Sequence, residues 1–217
     1  MSNLVPRWTL DMRRRSNKDL EEEANKRSNL LRIQCWNEAL NAYGTSYIFQ
    51  RRARSWTSRV QWITYIGFVV PMIVGLLVLA YGHLKSLPVI IAVAAAIGIG
   101  QAVISLWGIV GGWVGGAAYA ATSATANDLL AASFAELASN PPGDLREFRH
   151  RYELLKTESN ARTEQDFQQG VSEAEKRMGM RAALRKYRRK CAGCEQVPLD
   201  MKATGCSVCG KYRYRIR

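Results

Sequence analysis

The chain has 217 residues, with 31 Lys and Arg against 18 Asp and Glu, and a formal net charge of +13 at pH 7. The charges are segregated, because Lys85 is the only charged side chain between Val60 and Asn127. This pattern excludes an evenly solvated globular surface and predicts an all-α membrane protein with two polar flanks.

The first predicted element is an N-terminal cytoplasmic helical region, residues 1–59. No proline lies between Pro6 and Pro71, so we expect one or two long helices with a bend at Gly44. A helical stripe of small and apolar residues predicts a buried face, with Cys35 as a packed small hydrophobe. This face must pack either on later helices or on a neighbouring subunit. The stripe consists of Leu20, Ala24, Leu31, Cys35, Ala39 and Ala42.

A transmembrane hairpin is predicted next. We place its first helix at 60–82, an external turn at 83–86 and its second helix at 87–113. Charge is absent over 23 residues from Val60 to Gly82 and over 42 residues from Ser86 to Asn127. About 20 apolar residues suffice to cross a hydrocarbon core roughly 30 Å thick. The fold class is therefore a two-helix transmembrane hairpin with long cytoplasmic helices and a small C-terminal zinc ribbon.

The orientation of the hairpin follows from its flanking charges. Arg51, Arg52, Arg54 and Arg59 precede the first span, whereas the turn holds only Lys85. By the positive-inside rule the turn faces out, and both termini are cytoplasmic.

The second span carries small residues three or four positions apart, including Gly108, Gly112 and Gly116. Small residues let helices approach closely in lipid, so we expect this row to pack within the hairpin and between copies. Gln101 and Ser105 are the most polar side chains of the span and share a helical face. They either line a narrow aqueous path or make a hydrogen bond between helices.

Residues 114–190 form the predicted cytoplasmic helical region. The helix from the second span is expected to continue to Ala138 and to stop at 139–143, which contains two prolines. Asp144 and Glu147 have the spacing of a capping box that opens another helix. After about Thr163 we expect a further helix, whose apolar residues are Phe167, Val171, Ala174 and Met178.

The C-terminal region, 191–217, contains four cysteines in two C-x-x-C pairs separated by 11 residues: Cys191, Cys194, Cys206 and Cys209. Four thiolates at this spacing predict a tetrahedral site for structural Zn²⁺, with no position left for a reactive water. Gly193 and Gly210 suit the tight turns at the two pairs. Redox disulfides are the alternative, and a reducing cytoplasm makes them less favourable.

The end of the chain is strongly basic. From Lys176 to Arg217 there are 13 Lys and Arg against 2 Asp and Glu. Residues 211–217 alternate between basic and apolar, which predicts a strand. This basic surface suits nucleic acid, anionic lipid headgroups or an acidic partner protein. Its predicted residues are Arg185, Arg188, Arg189, Lys211, Arg213, Arg215 and Arg217.

Together, the polar N-terminal helix, the tight hairpin and the helical tail resemble the SLATT domain, a two-transmembrane effector of bacterial nucleotide-signalling defence systems. The cysteine spacing resembles that of a small group of mobile-element proteins named for it. The resemblance implies a homo-oligomer that permeabilises the bacterial inner membrane and so kills the cell or arrests growth. It also implies a sensor or inhibitor encoded nearby: a nucleotide-signal synthase, a reverse transcriptase–nucleic acid complex or an antitoxin.

Two functions therefore compete. The leading one is a non-enzymatic pore-forming effector, and the alternative is a membrane-tethered zinc ribbon that binds nucleic acid or an accessory protein. An enzyme is disfavoured, because His83 and His150 are the only histidines and no nucleophile elbow, paired carboxylates or phosphate loop is present.

Overall fold

A computed structural model of the chain describes residues 7–81 and 87–212, with side chains described for 22–80, 88–89 and 91–212. The described part contains five helices and no strand, in agreement with the predicted all-α class. Lys211 and Tyr212 are not in a strand, and the rest of the predicted strand, like the turn at 83–86, lies outside the described residues. The helices are α1 (Arg7–Tyr81), α2 (Leu87–Val110), α3 (Trp113–Ser139), α4 (Leu145–Phe167) and α5 (Glu173–Lys186).

The described residues divide into two compact units. The ribbon unit comprises 7–47 and 125–212, and the hairpin unit comprises 48–81 and 87–124. The ribbon unit therefore holds the first part of α1, most of α3, α4, α5 and the cysteine region, whereas the hairpin unit holds the apolar helices.

The core of the ribbon unit is built from α1, α3 and α4. Cys35 and Ala39 of α1 are fully buried there, together with Phe134 of α3 and Phe148 of α4. The stripe from Leu31 to Ala42 thus packs on later helices of the same chain, which was one of the two partners expected for it, whereas Ala24 is exposed. The predicted burial of Cys35 as a small hydrophobe is confirmed, and Leu20 lies outside the described side chains.

The N-terminal region forms one long helix, and α1 runs through Gly44 without a break. Gly44 instead marks the point where α1 crosses α5. A Cβ placed on Gly44 would lie 3.1 Å from the backbone carbon of Gly179 and 3.2 Å from its carbonyl oxygen. The residue is small because two helix backbones meet there.

The second predicted span, 87–113, is also corrected. Its helix ends at Val110, and the predicted continuous helix to Ala138 is interrupted at Gly111 and Gly112 before α3 begins. Gly112 has φ +64°, a left-handed conformation that glycine adopts without a steric penalty. Its amide donates to the carbonyl of Ile109 at 3.1 Å, in the manner of a helix end.

The later helix boundaries are partly as predicted. α3 ends at Ser139, and Asp144 caps α4 by accepting a hydrogen bond from the amide of Arg146 at 2.9 Å. Glu147 forms an ion pair with Arg151. The boundary placed near Thr163 is wrong: α4 continues to Phe167.

The start of α5 is set by a signal that the sequence analysis did not use. Ser172 and Glu175 form a complete capping box at its N-terminus. Val171 therefore lies before the helix and does not belong to its apolar face. The correction follows from local hydrogen bonding, since the Ser172 side chain accepts from the Glu175 amide at 3.3 Å.

Candidate metal centre and apolar hairpin

The four predicted metal ligands come together in the ribbon unit. The sulfurs of Cys191, Cys194, Cys206 and Cys209 all lie within 4.8 Å of one another, and none is in a disulfide. Cys191 Sγ is 3.9 Å from Cys206 Sγ, and Cys194 Sγ is 3.8 Å from Cys209 Sγ. A tetrahedral ion with bonds of about 2.3 Å separates its sulfur ligands by about 3.8 Å. The cluster therefore fits a metal site of the zinc-ribbon type.

Each cysteine pair lies on a tight turn. The amide of Glu195 donates to the carbonyl of Cys191 at 2.8 Å, and the amide of Gly210 donates to the carbonyl of Cys206 at 3.0 Å. Glu195 adopts φ 54°, so the first turn forces a non-glycine residue into the left-handed region. In the same turn the amide of Gly193 donates to Cys191 Sγ at 3.4 Å.

The two turn glycines are needed for space. A Cβ on Gly193 would lie 2.7 Å from Cγ2 of Val208, so the two turns press against each other at this point. A Cβ on Gly210 would overlap the hydroxyl of Thr204 and lie 2.8 Å from the Thr204 carbonyl oxygen. Neither site accommodates even an alanine without movement of the opposite loop.

Helix α5 positions the cysteine region in the ribbon unit. Cys191 and Cys209 are each 1% exposed and form a small core with Leu184 of α5. Arg181, one turn earlier, donates from Nε to the carbonyl of Asp200 at 2.8 Å. The centre is therefore docked on a helix and is not an isolated loop.

Residues 32–212 match the model of a family described as Mobilome CxxCx(11)CxxC protein. The chain belongs to this family. Neither a curated protein nor a solved structure matches it.

In this family member, two of the cysteines have pKa values shifted in opposite directions. Hydrogen bonds from the backbone amides of Cys209 and Val208 lower the pKa of the Cys206 thiol to about 7. Burial raises the pKa of Cys209, because the thiolate loses water. A bound cation reverses this effect by supplying the opposite charge, and coordinating thiols are deprotonated.

The structure describes four of the seven basic residues that were predicted near the centre. Arg185, Arg188 and Lys211 are exposed. Arg189 is also exposed, and its guanidinium carbon lies 4.6 Å from the centroid of the Trp36 ring of α1. The remaining predicted members, Arg213, Arg215 and Arg217, lie outside the described residues.

The predicted packing residues of the hairpin unit have specific intrachain contacts. A Cβ on Gly67 of α1 would overlap the side-chain amide of Gln101, so Gln101 lies against α1. Gly108 is buried under the indole of Trp113, and a Cβ on Gly116 would overlap the indole of Trp56.

The predicted glycine row is therefore not one continuous face. Gly112 has open space around its Cβ position and serves the break between α2 and α3. Ser105 is half-buried. Gly108 and Gly116 contact tryptophans of their own chain, which the spacing of small residues alone did not reveal.

The surface of the hairpin unit is strongly apolar. Phe68 and Leu79 of α1 are 76% and 85% exposed, and Ile109 and Val110 of α2 are 72% and 87% exposed. Both helices are long and apolar enough to cross a membrane. Large apolar patches on a soluble monomer are rare, so a surface of this kind marks a contact with lipid or protein.

The structure also reveals residues that the sequence analysis missed. Arg181 and Asp200 join α5 to the cysteine region, and a cavity of about 470 Å³ beside Cys194 and Cys206 is lined in part by the same pair. Trp36 and Trp113 pack against Arg189 and Gly108. No sequence signal distinguished Arg181 from the other basic residues of its segment.

Proposed function

We propose that the chain is a non-enzymatic protein of the bacterial inner membrane, in which the hairpin anchors a cytoplasmic zinc ribbon that acts as a binding module. One observation carries this proposal: three of the predicted pore and packing residues, Gln101, Gly108 and Gly116, contact partners within the same hairpin. Gln101 lies on Gly67, and Gly116 faces Trp56. What remains outside is apolar surface suited to lipid.

The metal proposed for the ribbon is structural Zn²⁺. Four cysteine ligands fill a tetrahedral shell, so no coordination position remains for water or substrate. A cytoplasmic location keeps the thiols reduced. The Zn²⁺ would hold the two turns together and provide much of the folding free energy of the 191–212 segment.

The binding partner proposed for the module is negatively charged. The segment from Arg185 to Lys190 contains five Lys and Arg among six residues, and it leads directly into the cysteine region. Arg185 and Arg188 are exposed. Nucleic acid matches such a cationic segment, because phosphate neutralisation releases counterions. A binding assay with single-stranded DNA at increasing salt tests this choice, because binding to nucleic acid should weaken steeply with salt. Failure to bind DNA would favour anionic lipid or an acidic accessory protein instead.

A pore-forming effector is the second candidate. It is favoured by the resemblance to the SLATT domain and by open space beside Gly75 of α1 and Gly98 of α2, whose Cβ positions have no atom within 4 Å. A second copy could approach closely at these glycines and form a homo-oligomer. Its opening would then be controlled by a sensor or inhibitor encoded nearby.

The proposed topology is tested with reporter fusions. A reporter after Lys85 is expected to read as external, and reporters after Ser16 and Arg217 as cytoplasmic, because the arginines lie before the first span. Removal of the positive charge provides the control: exchange of Arg51, Arg52 and Arg54 for Ser should increase the fraction of inverted molecules. An external C-terminus in the wild type would contradict both the topology and the reduced zinc site.

The two candidate functions are separated by membrane potential. As an anchor, the wild type expressed with its genomic neighbours is expected to leave the signal of a voltage-sensitive dye unchanged. As a pore it would depolarise the membrane, and Gly98→Leu would abolish this effect while Gly100→Leu, a control at an exposed glycine on the opposite face of the same helix, would preserve it. Depolarisation by the wild type that depends on Gly98 would replace the anchor proposal with the effector.

A further inference from the structure

Arg181 is a buried cation that the proposed function leaves without a role. Its side chain is 7% exposed, whereas Asp200, which pairs with it, is 52% exposed. A buried guanidinium loses most of its hydration, so it is stable only where several acceptors surround it. The acceptors around Arg181 therefore indicate what the residue is for.

Three nitrogens of Arg181 point into the cysteine region. Nε donates to the Asp200 carbonyl at 2.8 Å, and Nη2 donates to Asp200 Oδ1 at 3.1 Å. Nη1 lies 4.0 Å from Cys209 Sγ, within range of a hydrogen bond to sulfur. The guanidinium thus joins a ligand-bearing turn to the loop that precedes it.

The contact between Arg181 and Cys209 matters because a metal-loaded centre is negatively charged. Four thiolates around a divalent cation carry a net charge of about −2, and Cys209 is almost completely buried. Burial of uncompensated charge is unfavourable, and a nearby cation offsets it. Donors that surround metal ligands also fix their orientation.

The same face of α5 makes two further contacts with the cysteine region. One turn before Arg181, Nη1 of Arg177 donates to the carbonyl of Lys211 at 3.2 Å. Nearly one turn after it, Leu184 packs against Cys191 and Cys209. The three side chains at this spacing form one continuous docking face.

We infer that Arg181 is the charge partner of the loaded four-cysteine centre and the positioning residue through which metal binding docks the 191–212 segment on α5. This inference rests on the proposed zinc site. It assigns to Arg181 a role in zinc affinity that Arg177, on the same face, does not share.

The experiment uses the full-length protein in detergent micelles and compares Arg181→Gln, Arg181→Lys and Arg177→Gln. Zinc affinity is measured by competition with a chromophoric chelator. Arg181→Gln is expected to bind zinc about 10–100-fold more weakly, as is typical when a residue that supports metal ligands is lost. Arg181→Lys should recover part of this loss, because it retains the charge. Arg177→Gln should stay within about threefold of the wild type, since it loses one exposed hydrogen bond.

A second measurement separates an effect of charge on the ligating sulfur from an effect on folding. The sulfur-to-cobalt charge-transfer band of the Co²⁺-loaded protein should shift in Arg181→Gln, because it reports electron density on the ligating sulfur. In Arg181→Lys it should stay near the wild-type position. Asp200→Asn breaks the ion pair but keeps the guanidinium beside Cys209, so its loss of affinity should be smaller than that of Arg181→Gln.

The outcomes distinguish failure of the zinc site from failure of the role proposed for Arg181. Wild-type protein that binds no zinc overturns the zinc site and this inference with it. Tight zinc binding by the wild type together with equal affinity in Arg181→Gln overturns this inference alone. Equal losses in Arg181→Gln, Arg181→Lys and Asp200→Asn, with an unshifted cobalt band, also overturn it, because they describe a purely structural ion pair.

Discussion

Cys209→Ser protein purified under reducing conditions is expected to contain less than about one-tenth of a zinc ion per chain, against one in the wild type. Cys209 is 1% exposed and its sulfur lies 3.8 Å from that of Cys194, so its loss removes one of four ligands and leaves the tetrahedral shell incomplete. Structural zinc sites in small modules contribute about 10–16 kcal/mol of apparent binding free energy. Elemental analysis of the folded full-length protein measures the metal content directly.

The fifth cysteine provides a matched control for this experiment. Cys35 is fully buried in the core of α1, α3 and α4, and burial raises the pKa of its thiol to about 11. Cys35→Ala is therefore expected to keep one zinc ion per chain. A full complement of zinc in Cys209→Ser, or a parallel loss of zinc in both variants, would contradict the four-cysteine site.

Gly116→Val is expected to destabilise the hairpin unit by about 1–3 kcal/mol, the usual range for an overpacked site. A Cβ on Gly116 of α3 would overlap the indole of Trp56 on α1. The bulky ring cannot move aside as the end of a flexible chain would, so the helices must separate. Thermal unfolding in micelles, followed by tryptophan fluorescence, measures the effect.

The adjacent glycine supplies the control. Gly115 is exposed, and a Cβ on it would meet no atom within 4 Å. Gly115→Val places the same residue type in the same helix and is expected to unfold close to the wild-type temperature. Trp56→Ala combined with Gly116→Val should recover part of the lost stability. Equal destabilisation by the two valines would mean that helix propensity, and not the contact with Trp56, sets the cost.

Features that depend on neighbouring residues could be predicted from the sequence. The charge-free runs predicted the apolar helices, and the prolines after Ser139 predicted the end of α3. The cysteine spacing predicted the metal site, because two C-x-x-C turns need only a short connection to bring four sulfurs together.

Features that depend on contacts between distant segments could not be predicted. Gly44 was expected to bend α1, but its role depends on Gly179, which lies 135 positions later in the chain. Gln101 was placed on a polar face without knowing that Gly67 opposes it. Arg181 belonged to a basic segment in which nothing marked it as buried. The spacing of apolar residues predicts which face of a helix is buried, but it does not predict which segment packs on that face.

The crossing of α1 and α5 has a consequence for how this protein can vary. A side chain that meets another side chain can be accommodated by a change of rotamer or by a smaller neighbour. A methyl group at Gly44 would instead meet the peptide carbon and oxygen of Gly179, at 3.1 and 3.2 Å. Backbone atoms have no rotamers, so room for a methyl group must come from a shift of the two helix backbones by a few tenths of an ångström. Variation at this crossing is therefore coupled to the spacing of two whole helices, and a homologue with a larger residue at this position must hold α5 at a different distance from α1.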